Sequence, residues 1–147
     1  MNKISQTDLG SVQQIVVEKM HLLYMEVPSD IESQKKAWTN FEAHFPSLTG
    51  RKMFGLDYDD KKLYQVCSLV LESDHGETFG LKQFEFEGGS YLRLRLKFDS
   101  PELFEKIGPA YQLLISQYEK QINWSRPLIE YYKAKNILDL MIPVDEG

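Results

Sequence analysis

Among the 147 residues, one short run places an acid where chemistry could follow. Glu130 stands in Pro127-Leu128-Ile129-Glu130-Tyr131-Tyr132, surrounded by aliphatic and aromatic side chains. In an extended strand successive side chains alternate between faces, so Glu130 and Tyr132 would share one face and Ile129 and Tyr131 the other. A carboxylate among tyrosine rings can recognise a cation, because its charge and the ring quadrupoles both favour one. Desolvation would raise its pKa and suit it to general acid–base work instead. The same pattern also fits a solvated residue on the outer face of a one-sided sheet.

The other reactive types offer less. His21, His44 and His75 fall in a strand, a helix end and a loop without a ligand spacing such as HxxxH, so no metal site is expected. Cys67 is the sole cysteine, which excludes an intrachain disulfide, and its apolar run Val66–Leu71 reads as core packing. No GxSxG elbow is present. Gly88-Gly89 lies between two strands rather than ahead of a helix, the place for a bulge or tight bend and not for a phosphate cradle. No cofactor is expected.

The elements that must position Glu130 follow from periodicity. Residues 15–27 read as one strand ended by Pro28. Ser29-Asp30-Ile31-Glu32 fits a capping box with Ser29 as cap, opening a helix whose stripe is Ile31, Trp38, Phe41 and Phe45. Strands are predicted over 53–58 and 63–71, joined by a turn at Asp59–Lys62. Residues 81–87 alternate, and Tyr91–Phe98 alternates strictly, with Leu92, Leu94, Leu96 and Phe98 toward a core. Pro109 suits a first helical position, so the reading is a short turn over 102–107 and a main helix over 109–121 with the stripe Tyr111, Leu114, Ile115 and Tyr118. Strands over 128–133 and 137–144 close the chain. This order is strand-helix-strand-strand stated twice. Trp38, Phe41 and Phe45 are echoed by Tyr111, Leu114 and Tyr118, and Leu23 by Leu96, all 73 positions on. The expected fold is α+β: one antiparallel sheet, both main helices on one face, and a ligand site on the opposite face or in the groove between halves 12–75 and 80–145.

Composition bounds the function. A chain of 147 residues with 42% hydrophobic and 27% charged residues reads as one domain over 1–147 with its own core. A formal charge of −5 argues against direct nucleic-acid binding. Eight Tyr, eight Phe and two Trp are a large aromatic load for an acidic chain, and suit a site for something apolar and cationic. The N-terminal residues lack an apolar signal region, and no run approaches the roughly 20 residues that span a bilayer, so a cytoplasmic location is expected.

Taken together the motifs resemble GyrI-like small-molecule-binding domains, which also form the effector-binding part of multidrug-sensing transcription regulators. The run 127–132 followed by Leu138-Asp139-Leu140-Met141-Ile142-Pro143-Val144 is similar to that family's closing signature. Phe86-Glu87-Gly88-Gly89-Ser90-Tyr91 resembles its Gly-Gly-x-Tyr strand entry, Pro109-Ala110-Tyr111-Gln112 its second helix start, and 55–60 with 64–67 its central hairpin. The glycine usual after each half's first strand is absent. The resemblance implies a duplicated strand-helix-strand-strand fold and a cleft for lipophilic, often cationic compounds. It places the family's central glutamate on Glu130, with Tyr132 in the same motif; Tyr24, Trp38, Tyr64, Tyr91 and Tyr111 are cleft candidates from pattern alone. With no helix-turn-helix in the sequence, a stand-alone binder is expected. The resemblance equally implies two rivals: a hydrolase of cyclopropane-type electrophiles using the same glutamate, and a gyrase-type protein-interaction module. A protein partner or a second copy of the chain stays open.

Overall fold

The alternating leucines of 91–97 form the strand they predict, and it sets the pattern for the sheet. In a computed structural model, residues 12–97, 102–134 and 136–145 are described. The elements are β1 Gln13–Val17, β2 Met20–Pro28, α1 Ile31–Glu42, β3 Met53–Tyr58, β4 Leu63–Leu69, β5 Lys82–Phe86, β6 Gly89–Lys97, α2 Glu102–Tyr118, β7 Leu128–Ala134 and β8 Ile137–Pro143. All eight strands join one antiparallel sheet in the order β1-β6-β8-β7-β3-β4-β2-β5. The order is symmetric about the β7–β3 seam, with β2, β4, β3 on one side mirrored by β6, β8, β7 on the other. No helix among the described residues is long and apolar enough to cross a membrane.

Both helices lie on one face. Phe41 and Ala37 of α1 pack on Leu23, Tyr64 and Val66, and Ala110, Tyr111 and Leu114 of α2 on Leu94, Leu138 and Leu140. The opposite face is not open to a ligand, contrary to one of the two placements expected. Leu22 and Phe86 from one end of the strand order pack there with Tyr91 and Met141 from the other, together with Phe54, Leu56, Cys67 and Ile129. The sheet therefore curls around a second core.

The curl also corrects the first strand. The single strand expected over 15–27 is two, broken at Glu18-Lys19, because β1 pairs with β6 while β2 pairs with β4 and β5. Val17 is opposite Gly89 and Met20 opposite Phe86, so one two-stranded ribbon bends without slipping register. Gly88 sits in the bend at φ +82, where a Cβ would collide with the Val17 carbonyl.

Three local expectations change too. The cap of α1 is Asp30, whose Oδ2 accepts from the Ser33 backbone N–H at 2.9 Å, so Ser29 lies one residue too early. Ile31 opens the helix 69% exposed, off the apolar stripe. Helix α2 runs unbroken through Gly108-Pro109, then passes to a 3₁₀ turn at Glu119–Gln121; packing of Ala110 and Leu114 overrides the local break. Phe98 lies outside the described residues.

Candidate functional site

Strand β7 is central, flanked by β3 and β8, and its alternation turns Glu130 and Tyr132 toward the helices while Ile129 and Tyr131 enter the second core. Glu130 lies directly opposite Gly55 on β3. A Cβ on Gly55 would collide with the Tyr64 hydroxyl and stand 3.0 Å from Glu130 Oε1. The missing side chain is what lets Tyr64, one strand further on, reach across. Its hydroxyl donates to Glu130 Oε1 at 2.8 Å, and the Tyr132 hydroxyl donates to the same oxygen at 2.8 Å. Trp38 Nε1 on α1 donates in turn to the Tyr64 oxygen at 3.2 Å. Tyr111 on α2 is held by a 2.8 Å hydrogen bond to the Ile129 carbonyl.

Glu130 is 5% exposed and, among the described residues, forms no ion pair. Burial pushes its pKa up to about 7; the hydrogen bonds from Tyr64 and Tyr132 pull the other way, and the charge of Asp57 adds to the rise. Burial, then the neighbouring Glu130, drives the Tyr64 and Tyr132 hydroxyls well above the usual tyrosine range, so both remain protonated donors. Above these groups, α1 and α2 bound a cleft of about 410 Å³ lined by Trp38, Tyr111, Tyr132, Ile31, Ile107, Asp57 and Glu130, with the stem of Lys35 at its mouth. A hollow of about 360 Å³ adjoins it, reaching Leu48 and Met53. Trp38 and Tyr132, edge to face at 5.0 Å, line both and form the wall between them. Among the described residues no cluster of His, Cys, Asp and Glu could hold a metal ion.

Neither a family model nor a curated protein matches the chain. Solved structures do. An integron cassette protein from the mobile metagenome of Vibrio cholerae is 13% identical, with a TM-score of 0.69 over 93% of this chain and 97% of its own. SAV2435, solved bound to tetraphenylphosphonium, is 13% identical, with a TM-score of 0.65 over 92% and 94%. A hydrolase from Listeria innocua is 16% identical, with a TM-score of 0.54 over 91% of each chain. The fold is that of the GyrI-like effector-binding domains. At these identities the likeness is one of architecture.

Within this GyrI-like fold the seven residues singled out in the sequence divide. Glu130, Tyr132, Tyr64, Trp38 and Tyr111 meet on the helix face. Tyr24 and Tyr91 lie on the other: Tyr24 packs edge-on against Phe84 at 4.9 Å, and the Tyr91 hydroxyl donates to the Pro127 carbonyl at 2.9 Å. Two residues that shape the cleft were not singled out. Gly55 makes room for Tyr64, and Asp57, two residues on and on the same face, lines the cleft. Burial, with the charge of Asp59 adding and Lys62 opposing, lifts the Asp57 pKa to about 6. The signal was present, since Gly55 and Asp57 alternate with the apolar Phe54 and Leu56 in one strand.

Proposed function

We propose that this protein binds lipophilic cations in the cleft between α1 and α2, with Glu130 as the electrostatic anchor and Trp38, Tyr111 and Tyr132 as stacking walls. The observation that carries this reading is a buried carboxylate without a basic partner, held by two tyrosine hydroxyls beneath aromatic rings. A desolvated charge of that kind is unfavourable alone and is relieved by a cation from solution. The rings add cation–π attraction and remove the ligand's apolar surface from water. The tetraphenylphosphonium on SAV2435, which shares the fold, is a ligand of this chemistry. Calorimetric titration with tetraphenylphosphonium tests it. Glu130→Gln keeps an acceptor for Tyr64 but removes the charge, and is expected to weaken binding about tenfold or more, a loss of about 1.4 kcal/mol at least. Equal affinity in a folded Glu130→Gln protein would overturn the assignment.

A second reading rests on Glu130 titrating near neutrality. A carboxylate so poised can take a proton from water as it attacks a strained ring carbon, while a tyrosine hydroxyl protonates the carbon released as the ring opens. That a protein of similar fold from Listeria innocua is described as a hydrolase supports this reading. Incubation with a cyclopropane-bearing electrophile and mass spectrometry for the hydrated, ring-opened product separates hydrolysis from binding. Turnover that persists in Glu130→Gln removes this mechanism.

A further inference from the structure

Among the described residues, the buried acids Asp74, Asp139 and Glu130 and the half-buried Asp57 fall into two kinds. Asp74 is paired with Arg51, and Asp139 is held by Arg95 through bonds of 2.7 and 3.0 Å. Where an acid serves the fold, an arginine of the same chain neutralises it. Asp57 and Glu130 have no such partner among the described residues, and both line the same cleft. Both tyrosine hydroxyls donate to Glu130 Oε1, and none of the hydrogen bonds among the described residues goes to Oε2. Asp57 Oδ1 is shut from solvent with no hydrogen-bond partner. Buried acceptors are seldom left in that state, so donors from outside the chain are the natural complement.

Register fixes how the two acids stand. Gly55 is opposite Glu130 and Asp57 opposite Leu128 on the adjacent strands β3 and β7. Asp57 and Glu130 are therefore diagonal neighbours on one face, a relation that sets backbones about 7–8 Å apart. The space over Gly55 holds the Tyr64 hydroxyl, which donates to Glu130 and leaves Asp57 without that donor. Lys35, exposed, lines the cleft and Lys62 lies beyond the strand end, and neither forms an ion pair with them.

We propose that Asp57 is a second anionic anchor, so that the cleft prefers ligands with two N–H-bearing cationic centres on a small apolar body, such as aromatic diamines and bis-amidines, over single cations. The proposal rests on the cation-binding reading above and specifies its ligand class. A phosphonium ion brings no N–H and one charge, so it engages Glu130 and leaves Asp57 unpartnered; a compact diammonium ligand satisfies both.

The test compares 1,4-bis(aminomethyl)benzene with 4-methylbenzylamine, which differ little beyond the second ammonium, by calorimetry at pH 8 beside tetraphenylphosphonium. The second charge-assisted hydrogen bond is expected to favour the diamine about tenfold or more. Asp57→Asn, checked for folding by circular dichroism, is expected to reduce that ratio to about the twofold that two equivalent ends give by statistics alone. A wild-type ratio near two, with the monoamine and tetraphenylphosphonium both bound, overturns the second anchor and leaves the first reading standing. So does a tenfold ratio unchanged in Asp57→Asn, which places the second contact on the general acidic surface. If none of the three compounds binds, the cation-binding reading falls and this proposal with it. If Asp57→Asn fails to fold, Asp57→Ser is put through the same comparison, and a wild-type ratio near two overturns the second anchor without any variant.

Discussion

Glu130 keeps a proton that the unfolded chain would release, and the sign of the consequence is fixed. Its pKa rises from 4.5 to about 7 on folding, and that of Asp57 from 3.8 to about 6, both chiefly through burial. Between the unfolded and folded values the native state binds more protons than the unfolded one, so stability falls as pH rises through that window. Denaturant titrations from pH 5 to 8 should show this decline. Glu130→Gln should flatten its upper part and leave the variant more stable than wild type at pH 8 by up to about 3 kcal/mol. A variant profile as steep as wild type would assign the slope to other groups. The same proton controls the ligand. Tetraphenylphosphonium is a permanent cation, so any pH dependence of its binding belongs to the protein. Its affinity should climb with pH, approaching tenfold per unit below pH 7 and levelling above. A flat profile between pH 6 and 8 would mean that Glu130 is not the anchor.

At the scale of elements, the site depends on a side chain that is absent. Strand β3 is paired on both sides, with β4 and β7, so Gly55 cannot shift to admit a methyl group. Gly55→Ala would force Tyr64 to swing, breaking the run from Trp38 through Tyr64 to Glu130. Overpacking of this kind costs about 1–3 kcal/mol. A lowered melting temperature together with weakened tetraphenylphosphonium binding is the expected pair of results; a stable variant with full affinity would show that the Tyr64 contact is dispensable. The elements also show what the sequence could express. The pleat has period two, so the faces of Leu92, Leu94 and Leu96 and of Glu130 and Tyr132 were legible without coordinates. Helical stripes likewise identified Trp38 and Tyr111. Which tyrosines reach the cleft was not legible. Tyr24 and Tyr64 are alike in type and in strand context, and only the sheet's register turns one away and the other inward. Asp57 was hidden by its nearness to the acidic turn at Asp59-Asp60, where one more carboxylate reads as solvated surface. The helix cap was missed by one residue because Ser29 and Asp30 are equally good caps, and the choice lies in backbone geometry.

At the scale of the whole molecule, the curl separates two jobs that a flat sheet would confuse. One face carries both helices and the cleft, while the other is packed against itself, so the aromatic residues there join a core of their own. The curl turns on the bend between β5 and β6, where Gly88 crosses the β1–β2 connection. Arg126 secures the adjoining residues by donating to the Ser90 carbonyl at 3.0 Å and the Val144 carbonyl at 2.7 Å. Gly88→Ala meets two penalties that no rotamer change relieves: a positive φ, and a collision with backbone rather than with a side chain. Together these should cost about 3 kcal/mol. Because Gly88 is remote from Glu130 in the strand network, the folded fraction should keep its cleft. Saturating tetraphenylphosphonium at about 100 times its dissociation constant adds about 2.7 kcal/mol to any protein that binds it only when folded. The variant should therefore unfold at lower denaturant than wild type, yet gain the same increment from the ligand. Loss of the increment along with the stability would mean that closing the curl shapes the cleft itself, and that the two faces act as one unit.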